Sequence, residues 1–209
     1  PILIMALTLL FTQCGKDNIS PGNEYTGYIT AFTTGEISRN SAIRIEFHEE
    51  IKSAVPDGQA DPKLFAFSPS IPGKAVWIDK HTIEFRPDAS LPPDKTFRAK
   101  FRLSKILNVP SSLKVFDFSF RTGKMSLKTD VYGFKPYDIN DLRWQKLTGR
   151  VVTSDFADDS EIENALVAKQ NGKLSISWEH SEGTVHRFTI DSIQRNDQGG
   201  HLRLNMTAG

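Results

Sequence analysis

From Tyr25 onward, apolar residues recur at every second position. This is the period of a strand with one buried face, and not the period of about 3.6 that marks a helix. In Ala42–His48, the residues Ile43, Ile45 and Phe47 fall on one side, and Arg44, Glu46 and His48 on the other. In Thr96–Leu103 the inward set is Phe97, Ala99, Phe101 and Leu103. In Val115–Arg121 it is Phe116, Phe118 and Phe120. LFAFSPSI, KAVWID and HTIEFRP predict three further strands. Turn residues fall between these runs: Pro56-Asp57-Gly58, Pro72-Gly73-Lys74, Pro92-Pro93-Asp94 and Val109-Pro110-Ser111. Strands at intervals of about 8–12 residues with such punctuation predict an antiparallel β-sandwich.

A boundary falls at Thr122-Gly123-Lys124. Beyond it the period changes once. Asp158–Ala168 reads as a short helix, with Asp158, Asp159 and Ser160 as candidate caps and Ile162, Ala165 and Leu166 facing the core. Asn171-Gly172 predicts a turn, and alternation returns in KLSISWEH, VHRFTIDSI and HLRLNMT. The expected fold is all-β: two consecutive antiparallel β-sandwich domains, over residues 25–123 and 124–209, with one short helix in the second.

The start of the chain differs from this body. Pro1–Phe11 is apolar except for Thr8. That run is too short for a membrane-spanning helix, which needs about 20 residues, but it fits the apolar core of a secretory signal peptide. Phe11-Thr12-Gln13-Cys14 resembles the lipobox of bacterial lipoproteins, with Phe11 and Gln13 in place of the family's usual Leu and small residue. The resemblance implies cleavage before Cys14 and attachment of a lipid to its thiol. Residues 1–14 are then an incomplete lipoprotein signal segment, and 15–24 a polar tether. Pro1 and the ending LRLNMTAG both read as the interior of a longer chain.

Composition removes several function classes. The net charge is +1, so no strong field favours nucleic acid. A single cysteine makes neither an internal disulfide nor a thiolate zinc site, and no His lies close to Cys14 in sequence to activate it. No catalytic, cofactor-binding or metal-binding residue is assigned, and no small-molecule substrate is expected. Two clusters invite a metal reading. Asp155, Asp158, Asp159, Glu161 and Glu163 are carboxylates suited to Ca²⁺, but the helix start explains three of them and the Gly-punctuated calcium loop is absent. His180 and His186 flank a predicted hairpin loop, with Glu179 or His201 as possible further ligands. The simpler reading makes them solvated strand-end histidines, with His186 turned outward. Trp178 is expected in the core beside Ile176, and Asp191-Ser192-Ile193 resembles a short bacterial O-glycosylation acceptor.

Two resemblances connect these parts. Phe67-Ser68-Pro69, Trp77, Asp79, Thr82, Phe85, Pro87, Leu91, Pro92, Thr96 and Phe97 stand in the order of a bacterial Ig-like domain, with Phe97 replacing that family's Tyr. Thr148-Gly149, Val151, Thr153, Asp155, Leu166, Gly172, Trp178, His180, His186-Arg187-Phe188 and Ile190 resemble the N-terminal region of bacterial alpha-2-macroglobulins, envelope-anchored lipoproteins that trap proteases. The resemblance implies a macroglobulin-like second domain. It also implies location in the bacterial envelope, a membrane partner through the lipid on Cys14, and target proteases as partners of the whole protein. The thioester motif of that family, Cys-x-Glu-Gln, is absent: Cys14 is followed by Gly15-Lys16-Asp17. The segment is expected to be a non-catalytic anchor and scaffold of a protease-trapping inhibitor. The alternative is an envelope lipoprotein whose Ig-like domains hold a glycan or protein ligand.

Overall fold

The computed structural model describes residues 19–207 except 182 and 197. Cys14, the apolar leader and the first residues of the tether lie outside them.

The first domain is a sandwich of two four-stranded sheets. Strands β1 (Ile29–Phe32), β3 (Ile43–Phe47), β6 (Thr82–Pro87) and β5 (Gly73–Trp77) form one, in that order. Strands β2 (Gly35–Ile37), β8 (Phe116–Thr122), β7 (Thr96–Phe101) and β4 (Phe65–Ser68) form the other. All pairings are antiparallel except β2 with β8. That exception arises because one stretch of chain serves both sheets. It leaves β1 and enters β2 at Gly35, whose φ of +72° is open to glycine at little cost.

The alternation read from the sequence is the alternation of burial. Ile43, Ile45 and Phe47 point inward from β3, Phe97, Ala99 and Phe101 from β7, and Phe116, Phe118 and Phe120 from β8. Phenylalanine rings pack both across the sandwich and along one sheet, with Phe67 and Phe85 centroids 4.6 Å apart between the sheets and the ladder partners Phe65 and Phe101 4.9 Å apart. Such contacts stabilise beyond the apolar area they bury. The expected tether is docked from Ile19 onward. The Ile19 N–H donates to Ser119 Oγ at 2.9 Å, and the Tyr25 hydroxyl donates to the Val115 carbonyl at 2.8 Å.

The second domain is built on one sheet in the order β12 (Ile176–Ser181), β13 (Val185–Gln194), β10 (Asp141–Thr153), β9 (Leu127–Asp138). A two-stranded ladder of β11 (Leu166–Lys169) and β14 (Arg203–Met206) and the helix α1 (Asp159–Ala165) complete it. Its core is separate from the first and gathers Leu147, Val151, Ile162, Leu166, Ala168, Phe188 and Ile190. Gly149 stands opposite Phe188 in the ladder, and a Cβ there would lie 2.4 Å from Phe188 Cζ and 2.6 Å from the Asp130 carbonyl oxygen. Only a residue without a side chain lets that ring lie flat on the strand.

The helix is shorter than the sequence predicts. It ends at Ala165, and Leu166–Lys169 is strand. Leu166 pairs with Met206 and Ala168 with Leu204. Leu166 and Ala168 are buried as alternate residues, so the ladder with β14 outweighs the weak helix propensity of the Val167 segment. The β9–β10 hairpin carries Val131, Tyr132, Phe134, Tyr137, Ile139, Leu142 and Trp144 well exposed. Among the described residues, no helix is long and apolar enough to cross a membrane.

Candidate functional site

The acidic stretch around α1 does not gather on one ion. Its members face different ways. Asp155 and Glu161 turn to the first domain, where Arg39 in the β2–β3 loop is almost fully buried. Its Nη1 and Nη2 donate to the two Glu161 oxygens at 2.8 and 2.9 Å, and its Nε donates to the Leu91 carbonyl at 2.6 Å. The Arg39 backbone N–H donates to Asp155 Oδ2 at 2.8 Å, and the Ser38 hydroxyl donates to the other Asp155 oxygen. Asp158 accepts from Ser90 Oγ at 3.1 Å, while its own N–H donates to Glu161 Oε2 at 3.3 Å, the carboxylate arm of a capping box.

These contacts fix the charge states. The paired hydrogen bonds from Arg39 hold the Glu161 carboxyl below the usual carboxylate range, against burial, and in return raise the Arg39 guanidinium further above its ordinary value. Burial pushes Asp155 upward, but the bonds from Ser38, the Arg39 N–H and the Phe156 N–H overcome it and hold Asp155 low. A planar guanidinium on a bidentate carboxylate is directional as well as strong. It ties the start of α1 to the β2–β3 loop of the first domain.

Asp159 and Glu163, one turn apart on α1, face the other way, toward the β12–β13 hairpin. His180 and His186 are direct cross-strand partners there. His180 Nδ1 lies 2.8 Å from His186 Nδ1 and 3.3 Å from Asp159 Oδ1, and His180 Nε2 lies 3.1 Å from Glu163 Oε1. Asp159 Oδ1 is 3.9 Å from His186 Nδ1, and the three ligand atoms all fall within 4.8 Å of one another. The Trp178 ring stacks on His180 with centroids 5.8 Å apart and planes 10° from parallel.

The expectation that His186 turns outward is overturned. It is fully buried, because residues 186 and 188 share one face of β13 and Phe188 is core. Burial, then the neighbouring His180, lower the His186 pKa, while Asp159 acts in the opposite sense. Glu179 and His201 do not join the pair. Glu179 lies on the opposite face of β12 from His180, in register with Arg187, and His201 is exposed outside the strands. The acid that completes the pair, Asp159, stands 21 residues before His180 (180 − 159), and in the sequence it belongs to the helix start and its acidic cluster, with nothing that ties it to the histidines. Trp178 is half-buried against the core, Trp77 is buried in the first domain, and Trp144 is exposed, so the three share no surface. Ser192 is exposed at a bulge with φ +58°.

No family model and no curated protein matches the chain. Among solved structures it resembles L,D-transpeptidase 3 from Mycobacterium tuberculosis in complex with a faropenem-derived adduct, with TM-score 0.33, 14% identity, and 77% of this chain and 60% of that chain covered. A second structure of that transpeptidase gives 0.33, 13%, 77% and 61%. An L,D-transpeptidase from Mycobacterium tuberculosis H37Rv gives 0.32, 15%, 82% and 77%. The chain spans about three-fifths of the first two (60% and 61%). Likeness of this degree carries no argument about activity.

Chemically, the two faces of α1 do different things. The Arg39 face is saturated with hydrogen bonds and serves to hold. The histidine face presents two imidazole nitrogens and a carboxylate oxygen to one another.

Proposed function

We propose that the segment is the anchoring and scaffold part of an envelope protease-trapping protein of the alpha-2-macroglobulin kind, and that it does no catalysis itself. The observation that carries the scaffold reading is the Arg39–Glu161–Asp155 junction. Tandem sandwiches on a free linker tumble independently, whereas a bidentate charge pair between them, with its arginine buried, supports a fixed spacer. On this reading the lipid on Cys14 holds the spacer at the membrane, and incoming proteases meet the parts of the parent beyond it.

The test uses the natural full-length protein, incubated with an unrelated endoprotease. A trap leaves the protease active on a small peptide substrate and inactive on a large protein substrate. If both activities persist unchanged, the trapping reading falls. For the anchor, Cys14→Ala is expected to move the protein from membranes to the soluble fraction and to remove lipid label; equal partition of both forms overturns it.

A second reading, ligand binding by an envelope module, draws on Tyr132, Phe134, Tyr137 and Trp144, each exposed on the β9–β10 hairpin. Such side chains are enriched where proteins meet partners. Loss of glycan or protein capture in Trp144→Ala, with folding unchanged, would favour it.

A further inference from the structure

We propose that Asp159, His180 and His186 form a binding site for a divalent first-row transition-metal ion, with Zn²⁺ as its natural probe, and that Glu163 is the outer carboxylate that orients His180.

Three elements, α1, β12 and β13, each send one donor atom to a common point. Metal–ligand bonds of about 2.0–2.1 Å in a tetrahedral site place ligand atoms about 3.3 Å apart. The separations between these three atoms are 2.8, 3.3 and 3.9 Å, which bracket that value. Closing on a shared ion requires shifts of about half an ångström. Two imidazoles and one carboxylate suit zinc, cobalt or nickel, whereas Ca²⁺ and Mg²⁺ prefer all-oxygen sites.

The hydrogen bonding points the same way. The Glu163 carboxylate accepts from His180 Nε2, which turns the Nδ1 lone pair of that ring toward the common point. His186 Nδ1 and Asp159 Oδ1 face that same nitrogen at 2.8 and 3.3 Å. Among the described residues His186 Nε2 has no hydrogen-bond partner, so the atom of that ring that reaches the cluster is Nδ1. A cation at the common point gives both Nδ1 lone pairs and the carboxylate one shared partner. It also makes the Nε2–H···Glu163 bond the carboxylate–histidine–metal relay that outer-shell acids commonly provide.

Access and rigidity fit as well. His186 is fully buried and its position is set by packing, while Asp159 is exposed and leaves a way in for the ion and for solvent ligands. The helix backbone and the hairpin register hold the donors near one another before any ion arrives, which lowers the ordering penalty of binding.

The experiment uses the full chain without a polyhistidine tag, stripped with chelator and titrated with Zn²⁺ by calorimetry. Co²⁺ absorption serves as a coordination probe, and Trp178, stacked on His180, as a fluorescence reporter quenched by Co²⁺. One equivalent of Zn²⁺ is expected to bind. Asp159→Asn and His180→Gln are each expected to weaken binding at least about tenfold, and Glu163→Gln by about 10–100-fold. Trp178→Phe should abolish most of the quenching and leave the calorimetric affinity in place. His186→Ala risks unfolding and is not the test; far-UV circular dichroism and urea midpoints check that the Asp159, His180 and Glu163 variants remain folded. Absence of binding heat, or binding unchanged in both Asp159→Asn and His180→Gln, overturns the proposal in favour of a hydrogen-bonded cluster without metal.

Discussion

Arg39 of the first domain and Glu161 of the second meet through two parallel hydrogen bonds of 2.8 and 2.9 Å. The arginine side chain is only 5% exposed and the glutamate 47%. The asymmetry matters. The buried partner cannot rehydrate if its counterion is lost, so a change at Glu161 leaves an uncompensated charge at Arg39.

Replacing Glu161 with Gln is therefore expected to destabilise the chain by about 1.5 kcal/mol, the lower end for hydrogen bonds to a charged group, since Glu161 itself is half exposed. It should also release the two domains from a common orientation. Small-angle scattering should show a larger and broader distance distribution in the variant. Unchanged scattering together with unchanged stability would show that the junction does not set the orientation of the domains.

The first domain contains its own acid-sensitive group. Glu84 on β6 is buried and sits between Arg44 and Arg86, with Arg44 Nε at 3.0 Å and Arg86 Nε at 3.1 Å. Burial raises its pKa, but the two arginines more than offset this and leave it lowered. A lowered folded-state pKa means that the stabilisation is present above the ordinary glutamate value, near pH ~4.3, and is lost as pH falls through the folded value. Urea midpoints should decline on the acid side of that range, and the decline should be shallower in Glu84→Gln. At neutral pH this variant is expected to lose roughly 1.5 kcal/mol, the lower end for a charged hydrogen bond, because both arginines are half exposed and rehydrate.

Gly149→Ala tests the close approach of Phe188. The added methyl group meets a ring carbon at 2.4 Å and a backbone oxygen at 2.6 Å, and the backbone cannot swing aside. Overpacking of this kind costs about 1–3 kcal/mol. Chemical denaturation should show the loss, and Phe188→Leu combined with Gly149→Ala should cost less than the sum of the two single variants.

Phe118→Ala removes a ring with no exposed surface from the middle of β8. A loss of about 3–5 kcal/mol is expected for such a truncation. Differential scanning calorimetry checks it, with the low-temperature shift confined to the first domain.

The strands of the first sandwich were legible because each pairs a wet face with a dry one. Ile43, Ile45 and Phe47 show it within five residues, and burial obeys the letters. The helix start was legible in Asp158 and Glu161, but its end was not. Leu166–Lys169 alternates too briefly to announce a strand, and its partner β14 lies 37 residues on from Leu166 (203 − 166). The candidate site was half legible. His180 and His186 stood out at a hairpin, yet the acid that meets them comes from α1, and no local pattern encodes that docking. Arg39 gave no signal at all, since an arginine in a polar loop reads as solvated until a second domain covers it.

The seven residues of α1 also set a rule for how this chain can change length. Each residue inserted or deleted there turns the remainder of the helix by about 100°. A single deletion ahead of Glu161 would swing it away from Arg39 and Glu163 away from His180 in one step. The β9–β10 turn at Ile139-Asn140 has no such dependence, because Ile139 is 83% exposed at the tip of its hairpin. Variation in length among natural versions of this protein should therefore accumulate at that tip and spare residues 155–165.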